Sequence, residues 1–189
     1  MLRMHVRIAP IRAFLQKTDM SSTYLIRPAL ADDAPRIAVL GAQVWIHTYA
    51  TAGISEVIAQ YVLASFTPER FRTLAQDPGA VMLVAEREGN LAGYIVVRFA
   101  SQHADIQTEI ETLYVQACFA GQGIGSGLLT RAKEIALTKT GSRSIWLMVN
   151  SQNESAIAFY RSLGMKQDGL TYFELGGVKH ENKVMIAVD

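Results

Sequence analysis

Gly121-Gln122-Gly123-Ile124-Gly125-Ser126-Gly127 stands between a stretch that reads as a strand and one that reads as a helix. At such a junction the first backbone N–H groups of the helix have no partner of their own and its positive end points outward, so together they can surround a phosphate. A side chain would obstruct that approach, and glycine removes the obstruction. The competing reading is a tight turn whose glycines let the helix pack closely. A dinucleotide fingerprint fails here, because a Gly-x-Gly-x-x-Gly begun at Gly121 meets Ser126 and one begun at Gly123 meets Leu128. No Gly-Lys-Ser/Thr follows, and the next strand ends in Asn150 instead of the acid that would hold a ribose. Nicotinamide and nucleoside-triphosphate chemistry therefore drop away.

Working outward from this turn, Ile124, Leu128, Leu129, Ala132, Ile135 and Ala136 share one helical face, and Gly141 follows as a C-cap. Upstream, 106–115, 91–99 and 81–86 read as strands, the last two joined through Gly89-Asn90 as a hairpin. Downstream, 144–149 reads as a strand, and Ser151-Gln152-Asn153-Glu154 has the form of a capping box opening a helix that ends at Gly164. Strands over 166–175 and 178–188 flank Gly176-Gly177. Near the start, 24–27 reads as a short strand ended by Pro28. Asp32 or Asp33 then caps a helix bearing Ile37, Leu40 and Val44, and further helical stretches run over 55–64 and after Pro68. The order β, three helical stretches, βββ, α, β, α, ββ describes one α/β domain on a mixed sheet.

The chain has 189 residues, half of them hydrophobic and 19% charged, with a formal net charge of +1, so it has the material for a core and lacks the composition of a disordered chain. Residues 1–22 read as an N-terminal extension and 23–189 as the domain. No basic block marks a nucleic-acid or anionic-membrane footprint. The longest apolar runs, 79–85 and 91–97, fall far short of the roughly 20 residues of a membrane helix. Arg3, Arg7 and Arg12 interrupt any secretory leader, and a lone Cys118 suits a reducing compartment, so a cytoplasmic location is expected. His5, His47, His103 and His180 are too dispersed for metal spacing, and no metal is expected. Cys118, with no His fixed beside it, is expected to be a small packed residue.

These residues resemble the GNAT superfamily of acyl-CoA N-acyltransferases. Leu113-Tyr114-Val115 followed by Gly121-Gln122-Gly123-Ile124-Gly125 is similar to its strand and pyrophosphate loop, and Asn153, Ala156, Phe159, Tyr160, Leu163 and Gly164 to its second coenzyme motif. The resemblance covers 24–188 and implies a mostly antiparallel sheet of about seven strands, with splayed middle strands and helices on both faces. It implies acetyl-CoA as co-substrate, held by the backbone of Leu113, Tyr114 and Val115, by the loop with Ser126 at its end, and by Asn153, Ala156 and Tyr160. One departure is that Ala120 stands where the family usually has Arg or Gln, and neutral Gln122 fills a place that is often basic. Loss of one charge-assisted hydrogen bond costs about 1.5 to 3 kcal/mol, so coenzyme binding is expected to be weaker than usual.

Transfer from a thioester to an amine needs a deprotonated nucleophile, a polarised carbonyl and a proton for the departing thiolate. By resemblance Tyr160 is the acid, and the backbone N–H at Tyr114 or a neighbour polarises the carbonyl. Glu109 and Glu111, on the strand leading to Leu113, are the candidate bases, Glu109 matching a position from which family members supply one. Trp45 and Tyr49 sit where the family commonly walls the acceptor, with core packing as the other reading. Asp105, Glu109 and Glu111 make the neighbourhood acidic, which favours a cationic amine or polyamine, and the layout loosely resembles bacterial polyamine and small-amine acetyltransferases. The expected partner is a small-molecule or peptide amine, with no nucleic acid or membrane. Alternatives are a catalytically weak acyl-CoA-binding or sensing module, or a transferase for a longer acyl-CoA. Oligomeric state is left open, a homodimer included.

Overall fold

The computed structural model describes residues 24–99 and 101–189, so the N-terminal extension assigned to 1–22 and His5 lie outside the described residues. Segments rich in branched and aromatic residues form β1 (Leu25–Pro28), β2 (Ala80–Arg87), β3 (Asn90–Arg98), β4 (Glu109–Val115), β5 (Ile145–Asn150), β6 (Lys166–Leu175) and β7 (Val178–Ala187). The helices are α1 (Ala34–Tyr49), α2 (Glu56–Ser65), α3 (Pro68–Ala75), α4 (Ile124–Thr140) and α5 (Glu154–Ser162). One sheet takes all seven strands in the order β1-β2-β3-β4-β5-β7-β6. Only the β4–β5 pair is parallel.

Period-two alternation gives the sheet two apolar faces. Leu83, Ala85, Ile95, Val97 and Ile110 meet Leu128, Leu129 and Ala132 of α4 and Ile157 of α5 on one side. Met82, Val84, Tyr94 and Val96 meet Ile37 and Leu40 of α1 and Phe71 and Leu74 of α3 on the other. Helices thus cover both faces, as the resemblance implies.

Local details depart from the sequence expectations. The β2–β3 turn is Glu88-Gly89, one residue earlier than expected, with Arg87 opposite Asn90. Both turn residues have positive φ, 52° and 77°, and the Asn90 amide donates to the Glu88 carbonyl. Asn153, and not Ser151, caps α5: its Oδ1 accepts from the Ala156 N–H at 3.1 Å, while the Ser151 hydroxyl donates to Glu181. Neither aspartate caps α1 through its side chain. The buried Asp33 carboxylate instead accepts from the Leu30 N–H at 2.7 Å and from the guanidinium groups of Arg27 and Arg36. β4 begins at Glu109 instead of residue 106, because His103 and Ile106 close an isolated bridge ahead of it. Cys118 is exposed, not packed, since it lies on a surface 3₁₀ turn (Ala117–Phe119).

Candidate active site

β4 and β5 pair only at Glu109–Trp146 and Ile110–Leu147. Beyond those two positions the strands diverge, so the β5-facing edge of β4 from Glu111 to Val115 has no strand beside it, and a wedge opens in the sheet. On the other edge of β4 the pairing with β3 continues to Val115, interrupted by a bulge that inserts Glu111 between Ile110 and Thr112. Leu113 and Val115 point toward the α4–α5 side, and Tyr114 toward α1.

The glycine turn sits at the mouth of this wedge, and its four glycines divide by function. Gly121 and Gly123 have φ of 75° and 82°, with open space around Gly121 and no atom closer than 3.5 Å to a Cβ at Gly123. They shape the loop. Gly125 and Gly127 are close-approach positions: a Cβ would come within 3.1 Å of the Phe159 ring and 2.7 Å of the Tyr24 hydroxyl, respectively. The close-packing reading thus fits Gly125 and Gly127, while Gly121 and Gly123 leave the turn unobstructed. The first helical bond is Gly127 N–H to the Gly123 carbonyl, so among the described residues the N–H groups of Gly123, Ile124, Gly125 and Ser126 have no backbone acceptor. The Tyr24 hydroxyl donates to the Gly123 carbonyl at 2.7 Å, and the Ser126 hydroxyl to the same oxygen, which braces the turn. Ile124 buries its side chain in the core. Gln122 folds back to donate to the Cys118 carbonyl.

Tyr160, in the last turn of α5, is 8% exposed. Burial, with a smaller contribution from the neighbouring Tyr49 phenol, pushes its hydroxyl well above the usual range. That hydroxyl has no hydrogen-bond partner among the described residues, and it is not sealed from solvent either. Tyr49 lies on α1, on the opposite face of the sheet from α5. Burial likewise raises Tyr94 and Tyr114, and the phenol of Tyr61 acts on both.

Of the two glutamates, Glu109, the first residue of β4 and still paired with β5, is 9% exposed and, among the described residues, has no ion-pair partner. Alternation from Ile110 turns it away from α4 and α5. Glu111 accepts from Arg98 Nε at 2.6 Å and lies 3.4 Å from Arg70, and Arg98 also binds Asp77 at 2.6 Å. The expected acidic trio is therefore broken up, with Glu111 neutralised. Asp105 lines a separate hollow with Ser142 and Ser144, at the opposite end of β4 from the wedge. Asn153 has its capping bond to Ala156, as given above, and a second from the Ser155 hydroxyl.

Trp45 is buried, which fits core packing, while Tyr49 is 37% exposed. Their rings lie 5.0 Å apart. Tyr61 of α2 stacks 4.8 Å from Trp45, and Phe173 of β6 meets Tyr61 edge-on at 5.8 Å. Sequence reading missed Tyr61, Phe173 and the arginine partners of Glu111, since no local pattern joins residues from such distant segments. Among the described residues no group of three or more His, Cys, Asp or Glu could hold a metal ion, and no helix is long and apolar enough to cross a membrane.

A profile described as "Acetyltransferase (GNAT) family" matches residues 51–165. An uncharacterised N-acetyltransferase of Mycobacterium tuberculosis is 29% identical over 154 residues, covering 82% of this chain and 96% of that protein. The N-alpha-acetyltransferase RimI of the same organism is 28% identical over 112 residues, 58% of this chain and 68% of that one. In fold, the chain is similar to the PaiA N-acetyltransferase of Thermoplasma acidophilum in complex with coenzyme A. The TM-score is 0.74 at 20% identity, over 88% of this chain and 99% of that one.

Proposed function

Since the chain belongs to the acetyltransferase (GNAT) family, we propose that it moves an acetyl group from acetyl-CoA to the primary amine of a small molecule or a peptide. The observation that carries this reading is the two-pair β4–β5 contact, which leaves a wedge whose mouth is edged by unpartnered N–H groups. A diphosphate fits those groups at Gly123, Ile124, Gly125 and Ser126, because anions are favoured at a helix N-terminus. The open edge of β4 at Leu113, Tyr114 and Val115 offers backbone donors and acceptors to the amide-bearing arm of the coenzyme. Asn153 and Ala156, at the start of α5, complete the coenzyme side. A bound coenzyme supplies the acetyl group as a thioester, an activated acyl donor.

The chain's own residues then handle protons. An ammonium acceptor must shed two protons overall: one so that its nitrogen can attack, and one as the amide forms. Glu109, buried and without an ion pair among the described residues because its cross-strand neighbour Arg98 is engaged by Asp77 and Glu111, takes the first and passes it to water. As the C–N bond forms and the C–S bond breaks, the second proton replaces the one that the Tyr160 hydroxyl gives to the departing sulfur. The raised Tyr160 phenol stays protonated at neutral pH and so remains a donor. It is also a reluctant acid, so its donation is coupled to charge building on sulfur. Glu111, held by two arginines, serves position instead of proton transfer.

Incubation with acetyl-CoA and a panel of primary amines, read by thiol release, tests the reading. Release dependent on one class of amine is expected. Coenzyme binding without release for any amine would overturn it in favour of a sensing module, the reading to which Ala120 and the folded-back Gln122 belong.

A further inference from the structure

The ring cluster Trp45–Tyr49–Tyr61–Phe173 lies outside the proton-handling groups, yet α1, which carries two of its rings, packs against the open part of β4: Val44 shares a cluster with Tyr114, and the Gln116 amide just past β4 donates to Gln43. It also joins parts of the chain that the sheet does not. α2 reaches the β6–β7 turn, where a Cβ on Gly176 would come within 2.7 Å of Val57, and Tyr61 reaches Phe173 on β6. The wedge is therefore bridged on the α1–α2 side by aromatic and aliphatic groups. Tyr49 and Phe173 remain 37% and 40% exposed, so the cluster presents two aromatic rings to solvent at its edge.

Charge in this wall is sparse. Residues 44–66 contain no Lys, Arg or Asp, and only His47 and Glu56 interrupt the uncharged run. Glu56 accepts from the Gln60 amide on an exposed helix face. Arg70 and Arg98 are bound to Glu111, and Arg98 to Asp77. Across the β6–β7 hairpin His180 stands opposite Phe173, while the Glu174–Lys179 pair next to it alternates to the other face, so among the described residues an acidic acceptor would meet no unpaired Lys or Arg on the ring face. Beyond Glu109 a second ammonium would find only Glu56, on the exposed face of α2, and Glu111, already held by Arg98 and Arg70, and removing an unpaired charge from water is costly. An aromatic ring loses nothing on entering, and ring-on-ring contact adds about 0.5 to 1.5 kcal/mol beyond burial.

We infer that the four rings are the specificity wall of the acceptor site, and that the acceptor is a primary amine a short carbon chain from an aromatic ring, its ammonium directed to Glu109 and its ring to Tyr49 and Phe173. This rests on the acetyltransferase reading. Two sources carry the chemistry, a free arylalkylamine and a peptide whose first residue is aromatic.

Thiol release is measured with 2-phenylethylamine, n-butylamine, putrescine, and tripeptides beginning with Phe, Gly or Asp. Calorimetric binding of 2-phenylethylamine in the presence of coenzyme A is measured alongside. Expected is a kcat/KM at least tenfold higher for 2-phenylethylamine than for n-butylamine or putrescine, or for the Phe peptide than for the Gly and Asp peptides. Whichever aromatic substrate is the better identifies the source. The exposed Phe173→Thr variant should erase most of that preference, a ratio that a general loss of folded protein would leave unmoved. Equal or better turnover of putrescine, n-butylamine or the Asp peptide would overturn the inference and leave the acetyltransferase reading intact. If no amine turns over, binding of 2-phenylethylamine that Phe173→Thr abolishes would uphold the wall and sink the reading. Absence of that binding together with absence of turnover would overturn both.

Discussion

Two side chains carry opposite expectations for proton handling. Replacement of Tyr160 by Phe keeps the ring that fills the core and removes only the hydroxyl. Turnover should fall on the order of 100-fold with little change in coenzyme affinity, and steady-state kinetics beside calorimetry check both. Because burial raises this phenol, its proton stays on as pH rises, and the kcat profile should show no loss assignable to Tyr160 up to about pH 10, where an ordinary tyrosine would already titrate. A descending limb near pH 9 that vanishes in Tyr160→Phe would contradict this. Glu109→Gln should lower kcat/KM at neutral pH by about 100-fold, whereas Glu111→Gln should change it by less than about threefold, since Glu111 is already neutralised by Arg98 and Arg70. A larger loss from the Glu111 variant would reverse these assignments.

The junctions between elements decide whether these side chains are aimed. Asp33 ties β1 to the start of α1: Arg27 binds it and also Glu86 of β2, and the Leu30 N–H donates to it. The Arg27 hydrogen bond holds the Asp33 carboxyl down at about 2 against the opposing effect of burial. Its pKa is lower in the folded chain than in the unfolded one, so this stabilisation is fully present above about pH 4 and is lost as pH falls toward 2. It amounts to about 2 kcal/mol by linkage. Asp33→Ala should cost about 2 to 3 kcal/mol, because the Leu30 N–H loses its acceptor and Arg27 keeps only Glu86, and urea titration at pH 7 measures it. In the glycine turn, Gly123→Ala should weaken coenzyme binding through its left-handed φ, at about 1 to 2 kcal/mol. Gly125→Ala should chiefly lower the melting temperature by pressing on Phe159. Equal effects of both variants on affinity and stability would remove the division of labour among the glycines.

Across the whole molecule, β1 to β4 and β5 to β6 form two half-sheets joined by two residue pairs, with α4 and α5 packed over the join. A ligand lying along the open edge of β4 stands in for missing strand pairing. Saturating coenzyme A should therefore raise unfolding stability by about 2.7 kcal/mol at a hundred times its Kd, seen as a shift in the melting temperature, and should protect β4 and α4 amides from exchange. Much of this architecture was legible beforehand, because strand alternation, helical spacing and turn glycines are local consequences of side-chain shape and backbone freedom. The phosphate-type turn at Gly121, the helix carrying Tyr160 and the order of elements all follow from neighbours in the chain. Boundaries were less legible: Ser151 and Asn153 are equally good caps by residue type, and only the competing bond from Ser151 to Glu181 assigns the cap to Asn153. What the sequence by itself determined, then, was the set of elements and the class of ligand its glycine turn suits. The separation of Glu109 from Glu111, the exclusion of Asp105 from the wedge and the meeting of Trp45, Tyr61 and Phe173 were decided only by the tertiary structure. These depend on where a bulge falls and on which distant segments share a face, and both follow from packing the whole sheet at once.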